Sequence, residues 1–172
     1  IKMTKIPLSI MRAAIFGLPL ALVASCGGES TTQNNTVRVT PSSLGVTSSP
    51  PGAVAFITQT YRIESRSPTG NAQIGTEIMI HSAGTLYAGE PTLGTITCTA
   101  LPNPVCVDAA LSPLTLPYKG TTDSTGTVIV TMILGFTTGA DGTATVVEAF
   151  SGTGYGKTDV VFTCVDGTTA CP

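Results

Sequence analysis

The chain has 172 residues, with eight Lys and Arg against ten Asp and Glu, a formal charge of −2, and only 10% of its residues charged. Without a cationic surplus it lacks the counterion-release term that supplies most nucleic-acid affinity, so a nucleic-acid partner is excluded. Nineteen glycines, twelve prolines and no tryptophan, with few uninterrupted helix-forming stretches, point to short strands joined by turns and against a helical bundle.

At the start of the chain, Lys2, Lys5 and Arg12 precede the uncharged run AAIFGLPLALVAS, residues 13–25. A basic segment followed by a short apolar one is the layout of a secretory signal, residues 1–25. The run is shorter than the roughly 20 residues needed to span a bilayer as a helix, and Pro19 interrupts it. Starting at Met3 or at Met11 changes only the basic segment.

The run closes on Val23-Ala24-Ser25-Cys26, which resembles the lipobox of bacterial lipoproteins. The resemblance implies that the Cys26 thiol takes a diacylglyceryl group, that the signal is cut just before it, and that the mature chain begins with an acylated cysteine. One acyl chain holds a protein only marginally, at about 0.8 kcal/mol per buried methylene, whereas two or more give lasting attachment. Gly27, where Asp would suggest inner-membrane retention in some enteric bacteria, is consistent with the outer membrane. Removing the signal leaves five basic residues against ten acidic ones, a charge of about −5. The lipid, not charge, then provides the membrane contact.

Residues 26–51 read mostly as a flexible tether, GGESTTQNNTVRVTPSSLGVTSSPP from Gly27 onward, with a random-coil reach of roughly 25 to 30 Å. Residues 37–39 are the one strand-like patch. The alternative for "VRVTPSS" is a first edge strand ended by Pro41. Residues 52–172 are then left as one domain of ordinary size.

Beyond Pro51 the period-2 signal dominates. In AVAFITQTYRIE, Ile57, Tyr61 and Ile63 fall on one face and Thr58, Thr60, Arg62 and Glu64 on the other, as in a strand with one wet face. In QIGTEIMIHS, Ile74, Ile78 and Ile80 share a face, leaving Glu77 and His81 together on the opposite one. The intervening SRSPTGNA is a hairpin-like connection. Further strands are expected around residues 93–98, 127–134, 143–150 and 159–164. The near-repeat of TTDSTGTVIVTMILG from Thr121 in TTGADGTATVVEAFSG from Thr137 is a glycine turn launching a Thr/Val-rich strand each time, too short to make a solenoid.

The segments YRIESRSPTGNAQIGTEIMIHS, TTDSTGTVIVTM and TGYGKTDVVFTC together resemble the bacterial immunoglobulin-like domain of invasin and intimin type surface proteins. The family pattern T-D-x-x-G-x-x-x-V is met by Thr122, Asp123, Gly126 and Val130, whereas residues 65–72 depart from its D-x-x-G-x-P-V turn, with Ala72-Gln73 in place of Pro-Val. The resemblance implies an all-β immunoglobulin-like sandwich of six or seven strands, exposed outside the cytoplasm in adhesive or architectural roles, with no catalytic site.

With Cys26 assigned to lipid, Cys98, Cys106, Cys164 and Cys171 form an even set in an exported chain, which reads as two disulfides. Three pairings are possible. Short spacing favours Cys98 with Cys106 and Cys164 with Cys171, each loop contributing about 2.5 kcal/mol in the chain-entropy model; pairing the first two cysteines with the C-terminal strand stays open. The spacing is too wide for a four-cysteine zinc site.

Catalysis has few places to reside. His81 is the sole histidine, so any Ser or Cys nucleophile would depend on it as base, with Glu77 as its candidate partner. Asp108, Asp123, Asp141, Asp159 and Asp166 are scattered through turns without the ligand series of a calcium loop. SGTGYGKT, residues 151–158, imitates a phosphate loop, but Ser151 stands where Gly is needed and DVVFTC follows instead of a helix. It reads as a hairpin turn. The expectation is a non-enzyme without cofactor or metal: a lipid-anchored outer-membrane module that binds another surface protein or a glycan. A structural subunit or accessory factor of an envelope assembly is the alternative.

Overall fold

β-Branched and aromatic residues recurring at every second position build the longest strands. The computed structural model describes residues 34–48, 51–139 and 141–164. In chain order the strands are β1 (Thr36–Thr40), β2 (Ser43–Ser48), β3 (Val54–Arg66), β4 (Glu77–Ser82), β5 (Thr85–Ala88), β6 (Ile96–Cys98), β7 (Cys106–Asp108), β8 (Tyr118–Thr121), β9 (Thr127–Thr137), β10 (Gly142–Ser151) and β11 (Gly154–Cys164).

Two sheets face each other. One has the order β1-β3-β9-β5, the other β2-β11-β10-β4-β8, and β6 pairs with β7 alone. The first order is that of strands A-B-E-D of an immunoglobulin-like sandwich, and β11-β10-β4 supply its G-F-C, so the fold is an immunoglobulin-like β-sandwich. Between the sheets lie Val37, Val39, Tyr61, Ile63, Ile78, Ile80, Leu86, Val128, Val130, Met132, Val147, Ala149 and Val160, all buried. The inward set of β3 is the expected one, with Tyr61 and Ile63 buried and Ile57 packed against them.

Within the tether assigned to residues 26–51 the structure corrects residues 36–48, and for β1 it takes the edge-strand alternative ended by Pro41. Val37 and Val39 point into the core on β1, which pairs antiparallel with β3, while Leu44 and Val46 pack against the same core from β2, which runs parallel to β11. Pro41 has no N–H to extend the β1 ladder, and the chain changes sheets there, with the Thr158 hydroxyl donating to the Pro41 carbonyl. Gly156 lets β1 lie close, since a Cβ there would sit 2.7 Å from the Val37 carbonyl oxygen. The domain therefore begins near Asn34, where the compact unit starts. The signal segment and Cys26 lie outside the described residues.

Two local expectations also change. Ile74 is 65% exposed rather than sharing the face of Ile78 and Ile80, because the left-handed Gly75 (φ +67°) turns the chain before β4 begins. The connection at residues 65–72 closes on itself through the Arg66 and Ala72 bridge, yet β3 and β4 belong to opposite sheets, so it is a crossover and not a hairpin between paired strands. Among the described residues eleven strands replace the expected six or seven: β2, β5, β7 and β8 lie in stretches where no strand was expected, and β1 is the strand-like patch at residues 37–39. The glycine-rich stretch at residues 151–158 is the β10–β11 hairpin, with Ser151 paired to Gly154.

Candidate functional site

Residues 89–117, between β5 and β8, form an insert that lies on the outer face of the four-stranded sheet. Its hairpin, β6 with β7, is closed by the disulfide between Cys98 and Cys106. Under it Tyr87, Ile133 and Cys106 make a second buried cluster, flanked by Leu93, Ile96, Cys98 and Leu111. Polar bonds fix the insert further. The Asp108 carboxylate, 2% exposed as a residue, accepts from the amides of Gly94 and of Ala110, the latter at 2.8 Å. The Asp108 amide donates to the Tyr87 hydroxyl at 2.8 Å, and the Leu114 amide to the Leu86 carbonyl on the β5 edge.

Beside the insert runs a groove of about 440 Å³ with Ile133 and Gly135 in its lining, bounded by Val105, Val107, Pro113, Leu114 and Leu116 and, opposite, by residues 82–85. No charged side chain lines it. Val105, Val107 and Leu116 are among the few large apolar side chains that stay exposed, and Leu101 in the same insert is another.

A second concavity, of about 200 Å³, opens on the outer face of the five-stranded sheet between His81, Ser82, Ala83, Thr145, Val146 and Glu148. Its cause is a β-bulge: the β10 register against β11 slips between Thr145 and Val147, and such bulges redirect side chains and interrupt pairing. Next to it three rings cross three strands. His81 meets Phe150 edge-on with centroids 5.8 Å apart, and Phe150 meets Tyr155 at 5.1 Å. The Tyr155 hydroxyl donates to Glu148 at 2.8 Å, a bond that raises the Tyr155 pKa.

The residues singled out from the sequence are only partly brought together. Cys98 and Cys106 are bonded as the short-loop reading expects. Cys164 is buried and disulfide-bonded; Cys171 and Asp166 lie outside the described residues. Glu77 does not serve His81: it pairs with Lys119 at 2.9 Å, because residues four apart on a strand are far from each other, and the residue facing His81 is Glu148 on the neighbouring strand. Asp123 caps its own turn, accepting from the Thr125 and Thr127 amides, while Thr122 donates to the Gln73 carbonyl. Asp141 accepts from the Cys164 amide, and Asp159 binds Lys157 and Thr145. Among the described residues no three His, Cys, Asp or Glu side chains are grouped to hold a metal. The groove residues, and the Glu148, Phe150 and Tyr155 array, were not marked by sequence reasoning. Strand alternation in EAFSGTGYGK, which places Glu148, Phe150, Tyr155 and Lys157 outward, was the available signal.

No family model matches the chain, and no curated protein matches it. One solved structure, the ASH/PapD-like domain of human CEP192 (PapD-like domain 7), aligns with 77% of this chain and 87% of its own, at 13% identity and a TM-score of 0.36. A likeness that low lends nothing to a functional reading.

Proposed function

We propose that this is a lipid-anchored cell-envelope protein whose immunoglobulin-like domain acts as a binding or adhesive module, moored through acyl chains on Cys26. The observation that carries the reading is the run LVASC, residues 22–26, directly after a short apolar segment with basic residues before it. An outer-membrane location and kinship with invasin and intimin type domains belong to the same proposal. Two concave surfaces on a rigid sandwich, one apolar and one polar with an aromatic rim, supply what a binding module requires.

The test is the intact mass of protein extracted from cell membranes, measured with and without reductant. The expected result is a chain starting at Cys26 with acyl additions, gaining mass on reduction as disulfides open. A water-soluble, unacylated chain bearing a free Cys26 thiol would overturn the proposal. Size-exclusion of the extracted protein decides its role: a concentration-independent monomer supports the binding module, and ordered polymers would point to an assembly subunit instead.

A further inference from the structure

The outer face of the five-stranded sheet combines three features that no strand-building requirement explains. The bulge at Val146 adjoins a pocket lined by the polar residues His81, Ser82, Thr145 and Glu148 along with Ala83 and Val146. A strip of rings, His81, Phe150 and Tyr155, runs from that pocket across β4, β10 and β11; Tyr155 is 48% exposed. Glu148, held by the Tyr155 hydroxyl, stands between the two, directly opposite His81.

Each feature narrows the ligand. Exposed aromatic faces carry negative π-density that attracts polarised C–H groups, and the ligand must therefore present an apolar face. An ionised carboxylate has about four lone-pair sites, of which the Tyr155 bond occupies one. Glu148 can thus still accept from hydroxyl donors. The His81 ring has no hydrogen-bond partner among the described residues, and it adds a donor and an acceptor. The two nearby cations are already committed, Lys119 to Glu77 at 2.9 Å and Lys157 to Asp159 at 2.8 Å. No concentrated positive field remains for a phosphate, a sulfate or an acidic peptide. Among neutral molecules, the class that offers apolar C–H faces together with many hydroxyls is the sugars.

We infer that this face binds a neutral oligosaccharide, one ring seated in the bulge pocket against His81 and Glu148 and the adjoining ring laid along Phe150 and Tyr155. The assignment rests on the reading of the domain as a binding module and specifies its ligand. The bulge shapes the site, because it leaves Val146 without a partner on β11 between the paired Thr145 and Val147. The pairing of Tyr155 with Glu148 contributes as well, since it holds the carboxylate beside the stacking surface.

The test is calorimetric titration of the full chain, extracted from membranes in detergent, with maltotriose, cellotriose and chitotriose. At least one trisaccharide is expected to bind saturably. Tyr155→Ala should weaken it between about threefold and tenfold, the range of one aromatic contact, and Glu148→Gln should weaken it comparably. Tyr155→Phe, which keeps the ring and cannot unfold the sheet by truncation, should lose less than Tyr155→Ala. Leu116→Ala, in the apolar groove across the molecule, should leave the affinity unchanged. Absence of saturable binding with all three sugars overturns the inference, as does binding that survives Tyr155→Ala and disappears in Leu116→Ala. An acylated chain that binds no sugar overturns this assignment alone; an unacylated chain that binds sugar through Tyr155 overturns only the anchoring proposal.

Discussion

The sandwich and its insert are stabilised by different means. In the sandwich, fourteen buried apolar residues drawn from β1, β3, β4, β5, β9, β10 and β11 form one cluster, supplied mainly by alternation and, at the β10 bulge, by the successive Val146 and Val147. The insert at residues 89–117 buries only Tyr87, Ile133 and Cys106 fully against the sheet, and Tyr87 and Ile133 belong to the sheet. What that small cluster lacks is supplied by a disulfide and by a buried carboxylate that satisfies two amides. Glycine makes the seat possible: a Cβ at Gly135 would lie 2.7 Å from the Pro104 carbonyl oxygen. Apolar packing is collective and tolerates a short strand, whereas a loop-rich segment needs discrete ties.

The largest break in this contrast comes from Ile63→Ala. Removing a fully buried side chain from the central cluster should cost about 2 to 5 kcal/mol and lower the unfolding midpoint of the whole domain. A loss well under that range would mean that the two sheets do not share one core. Replacing both Cys98 and Cys106 by Ser should cost about 2 to 3 kcal/mol, read by hydrogen exchange as opening confined to residues 89–117. Loss of amide protection across β3 and β9 as well would show that the insert is part of the main cooperative unit.

Smaller effects sharpen the comparison. The Tyr61 hydroxyl is buried without a hydrogen-bond partner, and burial pushes its pKa up to about 12. Tyr61→Phe removes an unsatisfied polar group and should stabilise the domain by up to about 1 kcal/mol, measured by chemical denaturation; destabilisation would reveal a partner for that hydroxyl. The smallest effect concerns Asp123 at the β8–β9 turn. Its carboxyl is held below the usual range by the Thr125 hydroxyl first, and then by the amides of Thr127 and Thr125. A carboxyl with a lowered folded pKa contributes stability above its unfolded pKa and loses it as pH falls through the folded value. Acidification from about pH 7 to about pH 3 should therefore depress the melting temperature of the native chain more than that of Asp123→Asn. Parallel curves would show that the cap carries no net weight.

Much of the sandwich was legible in the sequence because a strand with one buried face writes its geometry into every second residue. Ile57, Tyr61 and Ile63 on β3, and Ile78 and Ile80 on β4, required no partner to be recognised. The turn at Thr122, Asp123 and Gly126 was equally readable, since side-chain capping and a positive φ at Gly126 are local requirements. The close spacing of Cys98 and Cys106 likewise carried its own pairing.

Tertiary structure decided the rest. Val37 and Val39 read equally as a brief patch in a polar tether or as a first edge strand ended by Pro41, and only the pairing with β3 decides for the strand. His81 acquires Glu148 instead of Glu77 because neighbours in a sheet are set by register between strands 67 residues apart in sequence, not by proximity along one strand. The bulge at Val146 depends on how β10 meets β4 and β11 at once. Alternation along a strand is fixed by the chain's own covalent geometry, so the sequence determined which faces turn inward. Which faces meet depends on long-range pairing, and only the assembled sheets could place the pocket, the rings and the groove.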